Sequence, residues 1–223
     1  MVKGYVQEHI FRHPWERVTA ASWRTYADLE HRRLLSHVVD VSVVNKSVDQ
    51  GAGQLLTTRA ITINASCPWW LQRLMGTSLC QCLEESRVDN DKRSLESVTR
   101  NVTLKDFVDV ELKCSYLPHP ENSEWTLLRQ ETSIRCASMP ALKSFAEMIE
   151  QKCVESFQQN SARGREVVEY VCKALERAES APAAAPPTSK AEPQLANPQQ
   201  SSSSHSHNNT DMMRSFLGSQ FWS

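Results

Sequence analysis

Six consecutive segments with strand-like patterning lie between two helical patterns, and that order permits few folds. Residues 4–13 alternate as a first strand, and residues 13–26 place Trp15, Val18, Ser22 and Tyr26 on one helical face. Period-two or β-branched patterns then recur over residues 36–48, 54–65, 79–88, 93–104, 106–117 and 125–137. This order predicts an α+β fold in which a curved, seven-stranded antiparallel sheet carries its helices on one face. The charged stretch 27–33 is expected to be an irregular loop.

The last helical pattern is the longest in the chain. Ser138 is suited to cap it, and Pro140 lies in its first turn. Apolar residues then recur every three or four positions: Leu142, Phe145, Ile149, Cys153, Phe157, Val168, Val171 and Leu175. Asn160, Ser161 and Gly164 fall within the same stripe. Two interpretations stay open, because these residues either face a hydrated or ligand-filled hollow under the curled sheet or mark a break in the helix.

Composition divides the chain into one domain and a tail. Residues 179–223 are rich in Pro, Ala, Ser, Gln and Asn, which cannot offset the entropy of ordering, so we predict a disordered polar tail. The apolar end of the tail, residues 212–222, is either a short binding motif or a solvated terminus. Residues 1–178 suffice for one domain with an internal cavity. The first residues lack the pattern of a signal or transit peptide, so the mature protein is expected to begin near Met1.

Charge and cysteine spacing argue against several classes of function. A net charge of −1 makes nucleic acid a poor partner, and we expect none. The seven cysteines lack the CxxC spacing of zinc or redox sites. Cys80 and Cys82 share one face of a predicted strand, where they either hold a metal or, as we favour, are buried free thiols. No sequence context marks a nucleophile, so we predict neither an enzyme nor a cofactor.

An insertion between the third and fourth predicted strands, residues 67–76, reads CPWWLQRLMG. Its proline and glycine suit the start and end of a short helical turn, and its tryptophans suit a boundary between membrane and water. We predict a lid that contacts a membrane through Pro68, Trp69, Trp70, Leu71, Arg73, Leu74 and Met75. Such a lid fits a lipid carrier, because moving an acyl chain through water costs about 0.8 kcal/mol per methylene. The alternative is that both indole rings pack over the sheet edge.

Three separated stretches, residues 8–26, 83–120 and 160–175, resemble the PRELI-like domain family and most closely its Slowmo branch. The resemblance covers residues 1–178. It implies a seven-stranded antiparallel sheet gripping a long C-terminal helix around a lipid cavity, with an N-terminal helix and a lid between strands 3 and 4. It also implies a phospholipid carrier of the mitochondrial intermembrane space, with phosphatidylserine as our first choice of cargo and phosphatidic acid as the second. Membrane contact would be peripheral and transient, and the partner would be a small twin-CX9C helical protein in a heterodimer.

The resemblance also suggests residues that bind the lipid headgroup. Arg59 matches an arginine of the third strand, and Asn160, Arg163 and Gly164 match an Asn-x-x-Lys-Gly pattern with arginine in place of lysine. Lys152 lies on the same helix flank as Arg163, so we predict a headgroup site formed by Arg59, Lys152, Asn160 and Arg163. The alternatives are a strand-surface salt bridge for Arg59 and a solvated helix flank for Arg163.

The chain departs from the family pattern at two places, and one other function stays open. Residues 26–29 replace the usual Tyr-Pro-Asn-Pro turn, and whether residues 26–33 contribute to the pocket is left open. Ile63 stands near the position of a lysine that some relatives carry after Arg59. The alternative function is a ligand-free scaffold that binds a small helical partner.

Overall fold

The computed structural model describes residues 2–27, 29–64, 73, 76, 78–103, 105–106, 108–136 and 143–180. These residues contain seven strands and three helices: β1 (Val2–Phe11), α1 (Trp15–Ala27), α2 (Leu29–Leu34), β2 (Val38–Asp49), β3 (Gln54–Asn64), β4 (Leu79–Asp89), β5 (Ser94–Asn101), β6 (Val108–Pro118), β7 (Thr126–Cys136) and α3 (Lys143–Ser180). The predicted α+β class and the seven strands are confirmed.

All seven strands form one antiparallel sheet in the order β1-β7-β6-β5-β4-β3-β2. Consecutive strands from β2 to β7 are neighbours, and β1 pairs with β7. Gly53 closes the turn between β2 and β3 with a φ of +58°, which few other residues adopt without strain. Asp89 closes the hairpin between β4 and β5, where its Oδ1 accepts a hydrogen bond from the Lys92 amide at 3.0 Å. Twist accumulated over seven strands curves the sheet, and its concave face holds the helices.

Helix α1 lies between the sheet and α3, so α1 has buried residues on more than one of its sides. Trp15, Ala20 and Trp23 pack with residues of the sheet, namely Leu55, Val88 and Leu95. Val18 and Ala21 pack instead with Phe11, Leu128, Val171 and Cys172. The single apolar face expected from the sequence is therefore too narrow a description of α1. A helix with neighbours on two sides needs apolar residues on both of them.

Helix α2 corrects the expectation of an irregular loop at residues 27–33. The segment Leu29–Leu34 is helical, with Glu30 in the first turn and Arg32 and Arg33 in the last. These charges complement the helix dipole, and the segment contains no proline that would prevent helix formation. Helix α2 contacts both α1 and α3, and the ring of His31 lies 6.0 Å from that of Tyr170.

Helix α3 is continuous for 38 residues, about 57 Å at the usual rise per residue. It does not break near Asn160, which decides between the two interpretations of the polar positions in its apolar stripe. Val167, Val168, Val171 and Cys172 are buried against α1 and the sheet. The expected start of this helix, with Ser138, Pro140 and Leu142, lies outside the described residues, as does residue 181 onward in the predicted tail. Among the described helices, none has the length and apolarity needed to cross a bilayer.

Candidate functional site

A cavity of about 720 Å³ lies between the concave face of the sheet and α3. Strands β3 to β7 contribute their inward side chains to its wall, and α1, the turn from α2 into β2 and one face of α3 complete it. Aliphatic residues such as Ile61, Ile63, Val110 and Leu112 share this wall with polar ones. The volume lies within the range of about 300–1,000 Å³ that is usual for ligand sites.

The polar interruption of the α3 stripe faces this cavity. Asn160, Ser161 and Gly164 all line it. A Cβ atom added to Gly164 would meet nothing within 4 Å, so open space begins directly at the helix backbone. The hollow predicted from the sequence is therefore present, and glycine at this position leaves it wider than any other residue would.

Arg59 and Glu84 form a buried ion pair in the cavity wall. The two residues face each other across β3 and β4, and Arg59 Nε donates to Glu84 Oε1 at 2.8 Å. Each is 8% exposed. The guanidinium carbon lies 5.3 Å from the ring centroid of Trp23 and 4.9 Å from that of Tyr26. The salt bridge considered for Arg59 thus exists, but it is inside the protein, not on the strand surface.

The tyrosine hydroxyls of the wall stay protonated near neutral pH. Burial raises the pKa values of Tyr26 and Tyr116 well above the usual range, and it raises the pKa of Cys114 to about 11. Cys80 is buried and Cys82 is partly buried, and neither forms a disulfide. Among the described residues, no group of three or more His, Cys, Asp or Glu side chains could hold a metal ion. The hydrogen bond that these two share lowers the pKa of Cys80 and raises that of Cys82. The two tyrosine hydroxyls of the wall are therefore polar but uncharged near neutral pH.

Two predicted headgroup residues lie at the exposed edge of the cavity. Lys152 and Arg163 are exposed and both line it. Arg163 Nη1 donates to Ser36 Oγ at 3.1 Å, across to the turn that precedes β2. Burial, together with the charge of Arg163, lowers the pKa of the neighbouring His37. The structure thus brings Arg59, Lys152, Asn160 and Arg163 into the wall of one cavity.

Most of the predicted lid lies outside the described residues, namely Pro68, Trp69, Trp70, Leu71, Leu74 and Met75. Arg73 is described as helical and exposed. Gly76 has a φ of +69°, the left-handed conformation expected of a glycine at a helix end.

Comparison with known proteins assigns the chain to a family. The model of the PRELI-like family matches residues 16–178. The chain belongs to the PRELI-like family. It is 29% identical over 162 residues to a slowmo homolog of Dictyostelium discoideum, a match that covers 73% of this chain and 68% of the relative. It is 34% identical over 168 residues to a UPS-like protein of Schizosaccharomyces pombe, which covers 75% of this chain and 87% of the relative.

A third relative is mitochondrial, and a solved structure shares the fold. The mitochondrial protein UPS2 of Saccharomyces cerevisiae is 29% identical over 166 residues, with 74% of this chain and 70% of the relative covered. The crystal structure of the Zhui aromatase/cyclase from a Streptomyces species matches with a TM-score of 0.53 at 13% identity, over 81% of this chain and 99% of that one. This second likeness concerns the fold alone.

Family membership determines the general activity and the location. PRELI-like proteins transfer lipids in mitochondria and are not known as a family of enzymes, so the general prediction of lipid transfer is supported. The predicted location, the mitochondrial intermembrane space, is confirmed.

Two charged residues of the PRELI-like cavity, Glu84 and Arg165, were missed in the sequence. Glu84 follows Cys80 and Cys82 on the inward face of β4, so strand alternation could have identified it. Arg165 lines the cavity, and its Nη1 donates to Gln130 Oε1 at 3.0 Å. Its position next to Gly164 is only a weak signal. Within residues 26–33, whose contribution to the pocket was left open, Tyr26 lines the cavity. It is the residue of this segment that agrees with the family pattern, since the departure begins at residue 27.

Proposed function

We propose that this PRELI-like domain extracts an anionic phospholipid from a mitochondrial membrane and carries it to another, with phosphatidylserine as the first choice of cargo and phosphatidic acid as the second. The cavity between the sheet and α3 is the observation that supports this proposal most strongly. Each methylene that crosses water costs about 0.8 kcal/mol, so a carrier needs an enclosed space with apolar walls. A scaffold that only bound a partner would gain nothing from such a space.

The charges of the cavity wall support an anionic cargo. Among the described residues that line the cavity, the cationic side chains are Arg59, Lys152, Arg163 and Arg165, and the one carboxylate is Glu84. We propose that Arg59, Lys152, Asn160 and Arg163 bind the headgroup, since arginine and lysine suit phosphate and carboxylate oxygens. A serine headgroup also carries an ammonium group, which Glu84 complements. This supports phosphatidylserine over phosphatidic acid.

We further propose that the insertion at residues 67–76 is the lid that meets the bilayer. Its composition and the helical state of Arg73 support this role. The double variant Trp69→Ala with Trp70→Ala should slow lipid exchange between vesicles severalfold and leave the melting temperature nearly unchanged. A large fall in melting temperature would instead show that both rings belong to the core.

A small twin-CX9C helical protein is the proposed partner in a heterodimer, as the family resemblance implies. Exposed apolar side chains on the sheet, among them Val43, Val44 and Leu56, provide area for a partner. Co-expression with such a protein and size-exclusion chromatography should yield a 1:1 complex.

The decisive experiment is lipid extraction from the purified recombinant protein, followed by mass spectrometry and a vesicle transfer assay. The carrier should hold phospholipid and move labelled phosphatidylserine faster than labelled phosphatidylcholine. An empty protein that still binds its helical partner would point to the scaffold. A bound lipid recovered in chemically altered form would point to an enzyme.

A further inference from the structure

Arg165 extends from α3 toward the side of the cavity opposite Arg163. Its Nη1 donates to Gln7 Oε1 in β1 at 3.2 Å and to Gln130 Oε1 in β7 at 3.0 Å, whereas Arg163 contacts the turn before β2. Both acceptors are neutral amide oxygens. Within the described part of the chain, no carboxylate lies within ion-pair distance of this guanidinium. Glu169, one helical turn farther along, pairs with His13 and Lys173 instead.

Arg165 therefore differs from Arg59, the other arginine that is shielded from bulk solvent in this wall. The charge of Arg59 is compensated by Glu84. Among the described residues, the half-buried charge of Arg165 is met by amide dipoles and by no carboxylate, and a cation partly removed from water in this way is stabilised when an anion reaches it. An anionic group that enters the cavity thus finds Arg165 uncompensated and Arg59 already neutralised.

The two glutamines hold Arg165 in place without occupying its whole donor set. Gln130 is 8% exposed, and its Nε2 points at Cys114 Sγ at 3.6 Å, which turns its Oε1 toward the arginine. Both amide contacts use Nη1. No described residue accepts a hydrogen bond from Nε or Nη2, and a guanidinium edge of this kind matches two oxygens of a phosphate.

We propose that Arg165, positioned by Gln7 and Gln130, is an anion-binding residue that holds the phosphate of the cargo lipid. This inference rests on the proposed function, because it assigns the lipid phosphate to a residue beyond the four headgroup residues named above. Arg59 would contact the cargo while it stays paired with Glu84, whereas Arg165 would contact the phosphate with a charge that no described carboxylate neutralises.

Binding of short-chain lipids to the full-length protein tests the proposal. The probes are dihexanoyl phosphatidic acid, dihexanoylglycerol, which lacks the phosphate, and inorganic phosphate, each measured by calorimetry below any micelle concentration. Arg165→Gln should weaken binding of the phosphatidic acid about tenfold or more, as expected for loss of a charge-assisted hydrogen bond pair, and leave dihexanoylglycerol unchanged. Arg165→Lys should fall between the two. Arg129→Gln is the matched control, since Arg129 is exposed and pairs with Glu8 and Glu131 on the outer face.

Each other outcome of the binding experiment has a distinct meaning. Unchanged phosphatidic acid binding in Arg165→Gln overturns the assignment, and so does an equal loss for both lipids, which would show a collapsed cavity. Inorganic phosphate bound as tightly as the lipid would show a site for free phosphate instead of a headgroup. A protein that binds phosphatidic acid through Arg165 but moves no lipid between vesicles keeps the subsite and loses the transfer function. A wild-type protein that binds neither lipid refutes both.

A second measurement shows whether Arg165→Gln keeps its fold. Burial and the neighbouring Arg165 charge lower the pKa of His9 in β1. In a folded Arg165→Gln variant this imidazole should stay half-buried and titrate at a higher pH than in the wild type, as followed by NMR. A His9 signal at the unfolded position would assign the loss of binding to unfolding and overturn the anion-binding role.

Discussion

The two halves of α3 have different surroundings although they belong to one unbroken helix: one half is packed in the core and the other lines the cavity. From Val167 to Cys172 the helix is packed against α1 and the sheet, and its inward residues are almost fully buried. From Lys152 to Gly164 the same stripe faces the cavity, and at Gly164 there is open space. We call these regions the closed end, which includes α1, and the open end. Tight packing at the closed end stabilises the domain, so the open end can stay hollow.

The largest expected effect is at the closed end. Trp15 is fully buried beside Leu55, Val88 and Leu95, and its Nε1 donates to Tyr116 O at 3.1 Å. Trp15→Ala should lower the free energy of unfolding by about 3–5 kcal/mol, because it leaves a large void and an unpaired carbonyl. Urea denaturation measures this loss. Trp125→Ala, at a half-exposed ring near Arg12, should cost clearly less, and equal losses would contradict the special role of the closed end.

A smaller loss of stability is expected when the buried ion pair of the cavity wall, Arg59 with Glu84, is broken. Glu84→Gln leaves Arg59 buried without a carboxylate and should cost about 3 kcal/mol in the free energy of unfolding, as for other broken buried pairs. Glu85→Gln is the matched control, since Glu85 is exposed on the outer face and lies 3.5 Å from Arg100. If both variants are equally stable in urea, Arg59 is compensated by the cavity water and not by Glu84.

At the open end, a substitution should be able to reduce lipid transfer without reducing stability. Gly164→Ala should raise the free energy of unfolding by about 0.5–1 kcal/mol through helix propensity and leave lipid transfer unchanged. Gly164→Leu should be similarly stable, since nothing lies within 4 Å of the new Cβ, but its side chain enters the cavity and should reduce lipid uptake severalfold. Thermal unfolding and vesicle transfer assays measure the two effects. Full transfer by Gly164→Leu would show that cargo does not occupy this space.

The smallest effect concerns pH. The pKa values of His9 and His37 are lowered from 6.5, mainly by burial and further by Arg165 and Arg163. Because the unfolded chain then binds more protons, this stability is complete above pH 6.5 and is lost as the pH falls through the lower folded-state values. The melting temperature should therefore decline between about pH 7 and pH 5. His9→Gln combined with His37→Gln should flatten that decline, and an unchanged slope would count against it.

Much of the fold could be predicted from local patterns. All seven strands were identified because period-two alternation is visible within each segment, and the stripe of α3 was visible for the same reason. Helix α2 was not predicted, because six residues span less than two turns and give little periodic signal. The breadth of the buried surface of α1 was missed because a single sequence does not show that a helix has neighbours on two sides.

The candidate site was predicted less completely than the fold. Arg59 was identified, but its partner Glu84 was not, since the register between β3 and β4 depends on how the insertion between them folds. Arg165 was missed because its partners come from β1 and β7, far away in the chain. The roles proposed for Lys152, Asn160 and Arg163 remain predictions, although all three line the cavity.

The amino-acid sequence by itself determined the number of strands, the apolar stripe of the last helix and the polar interruption of that stripe, because these are properties of neighbouring residues. That this helix is unbroken at Asn160 was decided by the tertiary structure. Only the tertiary structure decided which cations are neutralised and which remain available to a ligand. That distinction depends on burial and on distances of a few ångströms between residues far apart in the chain, such as Arg59 to Glu84 and Arg165 to Gln130. No local pattern encodes such distances.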